Sequence, residues 1–297
     1  MRFAWYEVNG VNLHCAHLGR EEAPMIIVLH GFPEFWIAWR EVAELLSQDF
    51  YIVVLDQRGY NLSSKPAGID AYHVSQLVAD VSALADQLSP GRKFTLAGHD
   101  WGASVAYGYA FSHPHRLTHL IVVNGVHPVC YQRAILFDLE QRRASQYINT
   151  LRRPGAAERL SEGGYRRTMR MLSEFSRTDW MTVAKKREYL DAWSQPGAMR
   201  AMVNWYLASQ VQAPKLGVRM TDAPLLKIPD DKVTVRAPHL VVWGEADEAL
   251  RPSCLTNLHH YAPDLAIKRI SGAGHWILHE QPDEVASAIR AFVGASS

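Results

Sequence analysis

GHDWG (98–102) is the stretch on which the reading of this chain turns. Its pattern, small-any-X-any-small, is that of a backbone bending sharply from a buried strand into a helix and presenting residue X at the bend. Many enzymes with this bend carry a serine at X; here it is Asp100. Upstream, KFTLAGH (93–99) is largely apolar on successive residues rather than alternating, as expected of a strand covered on both faces.

Similar runs recur outward from the bend: MIIVLH (25–30), FYIVVLD (50–56), LIVVNG (120–125), HLVVWGE (239–245) and AIKRIS (266–271). Helix-length spacers separate most of them and fit crossover connections. The expected fold class is therefore α/β, with a mostly parallel central sheet flanked by helices. The rhythm breaks at 130–232, where arginine-rich, helix-forming sequence takes over. We read 1–129 as the first part of a core, 130–232 as an inserted helical cap, and 233–297 as the rest of the core. Within the cap, Ala144, Tyr147, Ile148 and Leu151 form one helical stripe, and Met199, Met202, Val203, Tyr206 and Leu207 another. PLLKIPDDKVTVRAP (224–238) reads as the linker back to the sheet.

A chain of 297 residues, 48% hydrophobic, can bury a full core. Lys plus Arg number 31 against 30 for Asp plus Glu, which provides no strong overall field for nucleic acid or an anionic membrane. The expected partner is a small-molecule substrate; the assembly state, homodimer included, is left open. MRFAWYEVNGVNLHC lacks the layout of a secretion leader, and no apolar run approaches the ~20 residues of a membrane span, so the expected location is cytoplasmic. Cys15, Cys130 and Cys254 lack metal-binding spacing and are too sparse for a disulfide framework. No metal and no organic cofactor are implied.

In an open parallel sheet, reactive groups gather beyond the carboxyl ends of the strands. Asp100 follows KFTLAGH, Asp247 follows HLVVWGE, and His275 follows AIKRIS within SGAGHWI. Singly, each has a plain structural explanation as a capping, turn or surface residue. Together they stand in the chain order nucleophile, acid, histidine. HGFPE (30–34) directly follows an early strand, where the backbone N–H of Phe32, with that of Trp101, can form an oxyanion hole. Pro33 would hold that loop; His30, His99 and Trp276, beside these positions, are expected with it in the substrate pocket.

An ionised carboxylate attacks without first losing a proton. Asp100 can displace at a saturated carbon to give an alkyl ester, which water activated by His275 then cleaves. That chemistry suits epoxides and alkyl halides rather than ordinary esters. An epoxide opens to an alkoxide and needs a proton donor; a tyrosine, with pKa near ~10, suits the task. Tyr147 and Tyr206 lie on the cap stripes, where simple packing is the alternative explanation.

HGFPEFWIAWR, DQRGYNLSSKP (56–66), GHDWGA, NGVHP (124–128), NWY (204–206) and GHW (274–276) together resemble the α/β-hydrolase-fold epoxide hydrolases across nearly the whole chain. The resemblance implies hydrolysis of an apolar or aromatic epoxide to a vicinal diol. Asp100 is then the nucleophile, His275 the base, Asp247 its orienter, and Tyr147 and Tyr206 the donors to the epoxide oxygen. Asn124 stands where some relatives place the acid, which favours Asp247. Asn61 replaces a usual glycine in DQRGYN and Val126 a frequent proline in NGVHP. Haloalkane dehalogenases share the tryptophan after the aspartate and are the first alternative. A non-catalytic small-molecule binding protein of the same fold is the second.

Overall fold

The computed structural model describes residues 1–175 and 179–294. Eight strands form one sheet: β1 (Arg2–Val8), β2 (Val11–Leu18), β3 (Met25–Leu29), β4 (Tyr51–Leu55), β5 (Phe94–His99), β6 (Leu117–Val123), β7 (His239–Gly244) and β8 (Leu265–Ile270). Their order is β1-β2-β4-β3-β5-β6-β7-β8. The six strands from β4 to β8 in this order pair in parallel, whereas β2 runs antiparallel to both β1 and β4. β3 to β8 are the strands expected from the apolar runs. The central residues of β3 to β7, among them Ile27, Val53, Leu96, Val122 and Val241, are fully buried, each contributing about 1.5–3 kcal/mol by leaving water.

The β1–β2 hairpin adds two strands that those runs did not indicate. β1 is one edge of the sheet, with one face open, and β2 buries two polar residues, His14 and His17. Both histidines are satisfied from β4 and its end: His14 Nδ1 lies 2.7 Å from Asp56 Oδ2, and His17 Nδ1 lies 2.7 Å from the Tyr51 hydroxyl.

Helices α1 (Arg40–Leu46), α2 (Val74–Leu88) and α3 (Trp101–Ser112) lie in the connections before β6. Between β6 and β7 the described residues contain helices and no strand: α4 (Pro128–Phe137), α5 (Leu139–Ala144), α6 (Gln146–Leu151), α7 (Ala156–Glu174), α8 (Val183–Ser194) and α9 (Ala198–Ala208). Helices α10 (Leu258–Tyr261), α11 (Ile277–Glu280) and α12 (Pro282–Gly294) complete the chain, α12 packing on α1. α7 is interrupted where Gly163, Gly164 and Tyr165 adopt φ of 60°, 69° and 62°, and the Thr168 hydroxyl donates across the break to the Leu160 carbonyl at 2.9 Å.

The expected helical stripes are largely turned inward, with two differences. Ser145 separates Ala144 from the rest of its stripe, and Leu207, in the last turn of α9, is 38% exposed. Asn61 takes φ 40°, so asparagine does carry the left-handed turn of DQRGYN. The three cysteines are buried and unpaired. No helix among the described residues is long and apolar enough to cross a membrane.

Candidate active site

The bend after β5 is as tight as GHDWG requires. Asp100 caps α3 with φ 50° and ψ −118°, a conformation L-residues rarely adopt. Glycines on either side permit the close approach. A Cβ on Gly98 would fall 2.4 Å from the Gly102 carbonyl oxygen, and one on Gly102 would fall 2.2 Å from that of Leu29. The strand thereby runs directly under the first turn of α3 and lifts the Asp100 carboxylate to its rim.

Three strand ends bring the reactive groups together. His275 Nε2 lies 3.6 Å from Asp100 Oδ2, while His275 Nδ1 lies 2.8 Å from Asp247 Oδ2. Asp247 Oδ1 accepts the amides of Ala249 and Leu250, each at 2.8 Å, which fixes the acid beneath the ring. Burial opposes charge on His275, but Asp247 and Asp100 outweigh it, and its pKa is pushed up to about 10. Burial likewise opposes charge on Asp100; the histidines His275 and His99 and the Phe32 amide prevail and hold it below the usual carboxylate range. At neutral pH the resting pair is carboxylate and imidazolium.

HGFPE curls over Asp100. The Phe32 N–H donates to Asp100 Oδ1 at 2.8 Å, and the peptide between Phe32 and Pro33 is cis. The Trp101 N–H is the first amide of α3 and has no acceptor within its own helix. Asp100 Oδ1 thus occupies a backbone donor site, while Oδ2 faces His275.

Tyr147 of α6 and Tyr206 of α9 line the same cavity as Asp100 and His275, together with Phe32, Pro33 and Trp276. The two tyrosine rings are 6.1 Å apart, and Tyr206 stands edge-on to both Phe32 and Trp101 at 5.1 Å. Burial, with Asp100 nearby, holds both phenols protonated, their pKa values well above the ordinary one. An adjoining chamber shares Asp100, Tyr147 and Tyr206 and adds Val126, Tyr131 and Ile148.

Two of the expected pocket residues do something else. His30 and His99 are fully buried and do not line the cavity. His30 Nε2 accepts the Gln57 amide at 3.0 Å and its Nδ1 pairs with the Gly31 carbonyl at 2.9 Å, so it ties the HGFPE loop to the end of β4. His99, the last residue of β5, points beneath the bend; its Nε2 donates to the His275 carbonyl at 2.9 Å. Alternation explains His99, the strand residue just before Asp100; His30, past the end of β3, is instead drawn into the core by its hydrogen bond from the Gln57 amide.

The sequence reading passed over a buried polar cluster below His275. Glu34 Oε1 accepts from the Tyr189 hydroxyl at 2.8 Å and lies 2.9 Å from His279 Nε2; its Oε2 lies 3.3 Å from His99 Nδ1. Burial opposes the Glu34 charge, but His279 and His99 hold its pKa far below the usual range. Two tethers between the helices that follow β6 and the sheet loops flank the cluster: the Trp193 indole donates to the Pro33 carbonyl at 2.6 Å, and the Trp276 indole to the Leu172 carbonyl at 2.5 Å. The available signals were a lone acid in an apolar loop and a second histidine one helical turn after His275.

Comparison with known proteins agrees with the motifs. Residues 24–282 match the family model described as the α/β-hydrolase fold. The AB hydrolase superfamily protein YfhM of Bacillus subtilis is 34% identical over 276 residues, covering 92% of this chain and 91% of that protein. Epoxide hydrolase 2 of Caenorhabditis elegans is 28% identical over 302 residues, covering 98% of this chain and 79% of the relative. A solved structure from a study of novel epoxide hydrolases in metagenomes from hot environments superposes with a TM-score of 0.88 at 33% identity, covering 99% of both chains. The chain belongs to the α/β-hydrolase family, and its resemblance is to the epoxide hydrolases within it.

Proposed function

We propose that this protein hydrolyses an apolar or aromatic epoxide to a vicinal diol through an alkyl ester on Asp100. The observation that carries the reading is the division of labour at one carboxylate. Oδ1 is held by the Phe32 amide, and Oδ2, 3.6 Å from His275 Nε2, faces a cavity lined by two protonated tyrosines. Oδ2 attacks an oxirane carbon, the C–O bond breaks, and the electron pair goes to the oxygen, which takes a proton from Tyr147 or Tyr206. Protonating the tyrosinate with the His275 proton, through solvent, leaves the imidazole neutral.

Esterification removes the Asp100 charge that helped to keep His275 protonated, so the imidazole becomes a competent base in the second half-reaction. It takes a proton from water as the hydroxide adds to the ester carbonyl, and charge develops on Oδ1 against the Phe32 and Trp101 amides, each such donor being worth about 3 kcal/mol. The diol leaves as an alkoxide and is protonated by His275; the carboxylic acid returns a proton to the ring, restoring the starting ion pair. Asp247 holds the ring tautomer throughout.

The tyrosines favour an epoxide over a halide, which needs no proton and would be served better by a side-chain N–H at position 32 than by Phe32. Single turnover of a styrene-oxide-type substrate in ¹⁸O-water tests the proposal, with a bromoalkane assayed in parallel. Label in the Asp100 carboxylate and formation of diol are expected. Label confined to the diol would exclude the ester, and bromide release without diol would make the protein a dehalogenase.

A further inference from the structure

The chamber lined by Asp100, Tyr147 and Tyr206 has a third phenol on its wall, Tyr131 of α4. Its hydroxyl interacts with those of Ser145, at 3.1 Å, and Tyr147. Behind Ser145 stands Gln141 of α5, and both are fully buried. The Arg251 N–H donates to Gln141 Oε1 at 2.7 Å, and the Cys254 thiol to the same oxygen at 3.1 Å, which settles the orientation of the amide. Gln141 Nε2 therefore carries the donors, one to the Ala249 carbonyl at 3.0 Å and one to Ser145 Oγ at 2.9 Å.

The remaining hydrogens are then directed in turn. Ser145 Oγ accepts from Gln141, so its own hydrogen is free for the Tyr131 oxygen, its other side-chain partner among the described residues. With that oxygen accepting from the serine, the Tyr131 hydrogen is left to point into the chamber, on the side of Tyr147. Burial pushes the Tyr131 pKa well up, so this proton stays in place. A phenylalanine would fill the same space without burying a glutamine, a serine and a phenol, groups that cost free energy unless each is paired. Packing explains the ring but not the hydroxyl or the buried chain behind it.

We propose that Tyr131 is a positioning residue for epoxide opening: its hydroxyl donates to the Tyr147 oxygen as that phenol passes its proton to the opening oxirane, and so steadies the tyrosinate that results. Tyr131 keeps its own proton throughout, while the tyrosinate recovers one from His275 through solvent. This rests on the epoxide-hydrolase reading and makes the two donor tyrosines unequal, because the chain from Gln141 leads to Tyr147.

Rapid-quench single turnover of styrene oxide tests it, with Tyr131→Phe introduced into the wild type, into Tyr206→Phe and into Tyr147→Phe. Where Tyr206 is replaced and Tyr147 is the remaining donor, loss of the Tyr131 hydroxyl is expected to slow alkylation by a further five- to twentyfold or so, since hydrogen bonds to charged groups are the stronger ones. In the Tyr147→Phe background the further loss is expected to stay within about twofold. Substrate affinity should change by less than about twofold in every background, because the bond strengthens only as the tyrosinate forms. Losses of equal size in the two backgrounds, a larger loss in Tyr147→Phe, a loss confined to affinity, or no loss at all would each overturn this inference alone. Failure of the wild type to give either alkyl-enzyme or diol would overturn the epoxide reading with it.

Discussion

Asn124 Nδ2 donates to Asp247 Oδ2 at 2.5 Å, the same oxygen that meets His275 Nδ1. Asn124 also accepts the Gly244 amide on its Oδ1 at 2.7 Å, and its carbonyl accepts the Asp100 N–H at 3.3 Å. One residue at the end of β6 thereby registers the bend at Asp100 against the loop that carries Asp247. Replacing it by alanine leaves Asp247 a donor short, at a cost of about 1–3 kcal/mol. Asn124→Ala is expected to lower kcat by roughly ten- to a hundredfold, read by steady-state kinetics beside a melting curve. A kcat within twofold of wild type would show that Asp247 is adequately held without it.

Tyr206→Phe keeps the ring edge-on to Phe32 and Trp101 but removes the donor. Alkylation should slow by about a hundredfold, with Tyr147→Phe comparable and the double variant slower still. Stopped-flow tryptophan fluorescence would follow the step, Trp101 being in contact. Undiminished alkylation in the double variant would show that the alkoxide is protonated by another group.

The raised His275 pKa sets a pH window. A histidine whose folded pKa lies above its unfolded value near ~6.5 adds stability that is fully present below that pH and lost as pH rises through the folded value, here about 10. Melting temperature should therefore decline across that alkaline window. Asp100→Asn removes one of the two carboxylates responsible and should lower the histidine's titration point, as seen by NMR of the imidazole. Identical titration in wild type and variant would refute the charge coupling on which the second half-reaction relies.

The glycines at the bend face backbone, which cannot swing aside. Gly102→Ala should destabilise the fold by about 1–3 kcal/mol and abolish turnover, because its methyl would meet the Leu29 carbonyl at 2.2 Å. Gly294→Ala, with open space around it, is the matched control. Chemical denaturation of the two proteins makes the comparison; equal stability would show that α3 can shift away from β3.

What could be read from the chain alone follows the physics of each element. Strands β3 to β7 announce themselves because burial on both faces demands unbroken apolar runs, β8 at the far edge shows only a broken run, LAIKRI, and Asp100, Asp247 and His275 are found by following those strands to their ends. The β1–β2 hairpin stayed hidden because an edge strand has an open face and because His14 and His17 look polar until Asp56 and Tyr51 are placed beside them. His99 was misplaced because it is the immediate strand neighbour of Asp100 and points the opposite way, and His30 because its partner, Gln57, lies 27 positions away. The Glu34 cluster was out of reach: its partners Tyr189 and His279 lie 155 and 245 positions away, and no local pattern joins them.

The two indole tethers, Trp193 to Pro33 and Trp276 to Leu172, attach α8 and α7 to the loop that carries Phe32 and to the loop that carries His275. Lifting the roof strains or severs both anchors at once. The Phe32 amide and His275, which hold Asp100 from opposite sides, are thereby both pinned to one helical layer, so that a shift of α7 and α8 would be felt at both of them.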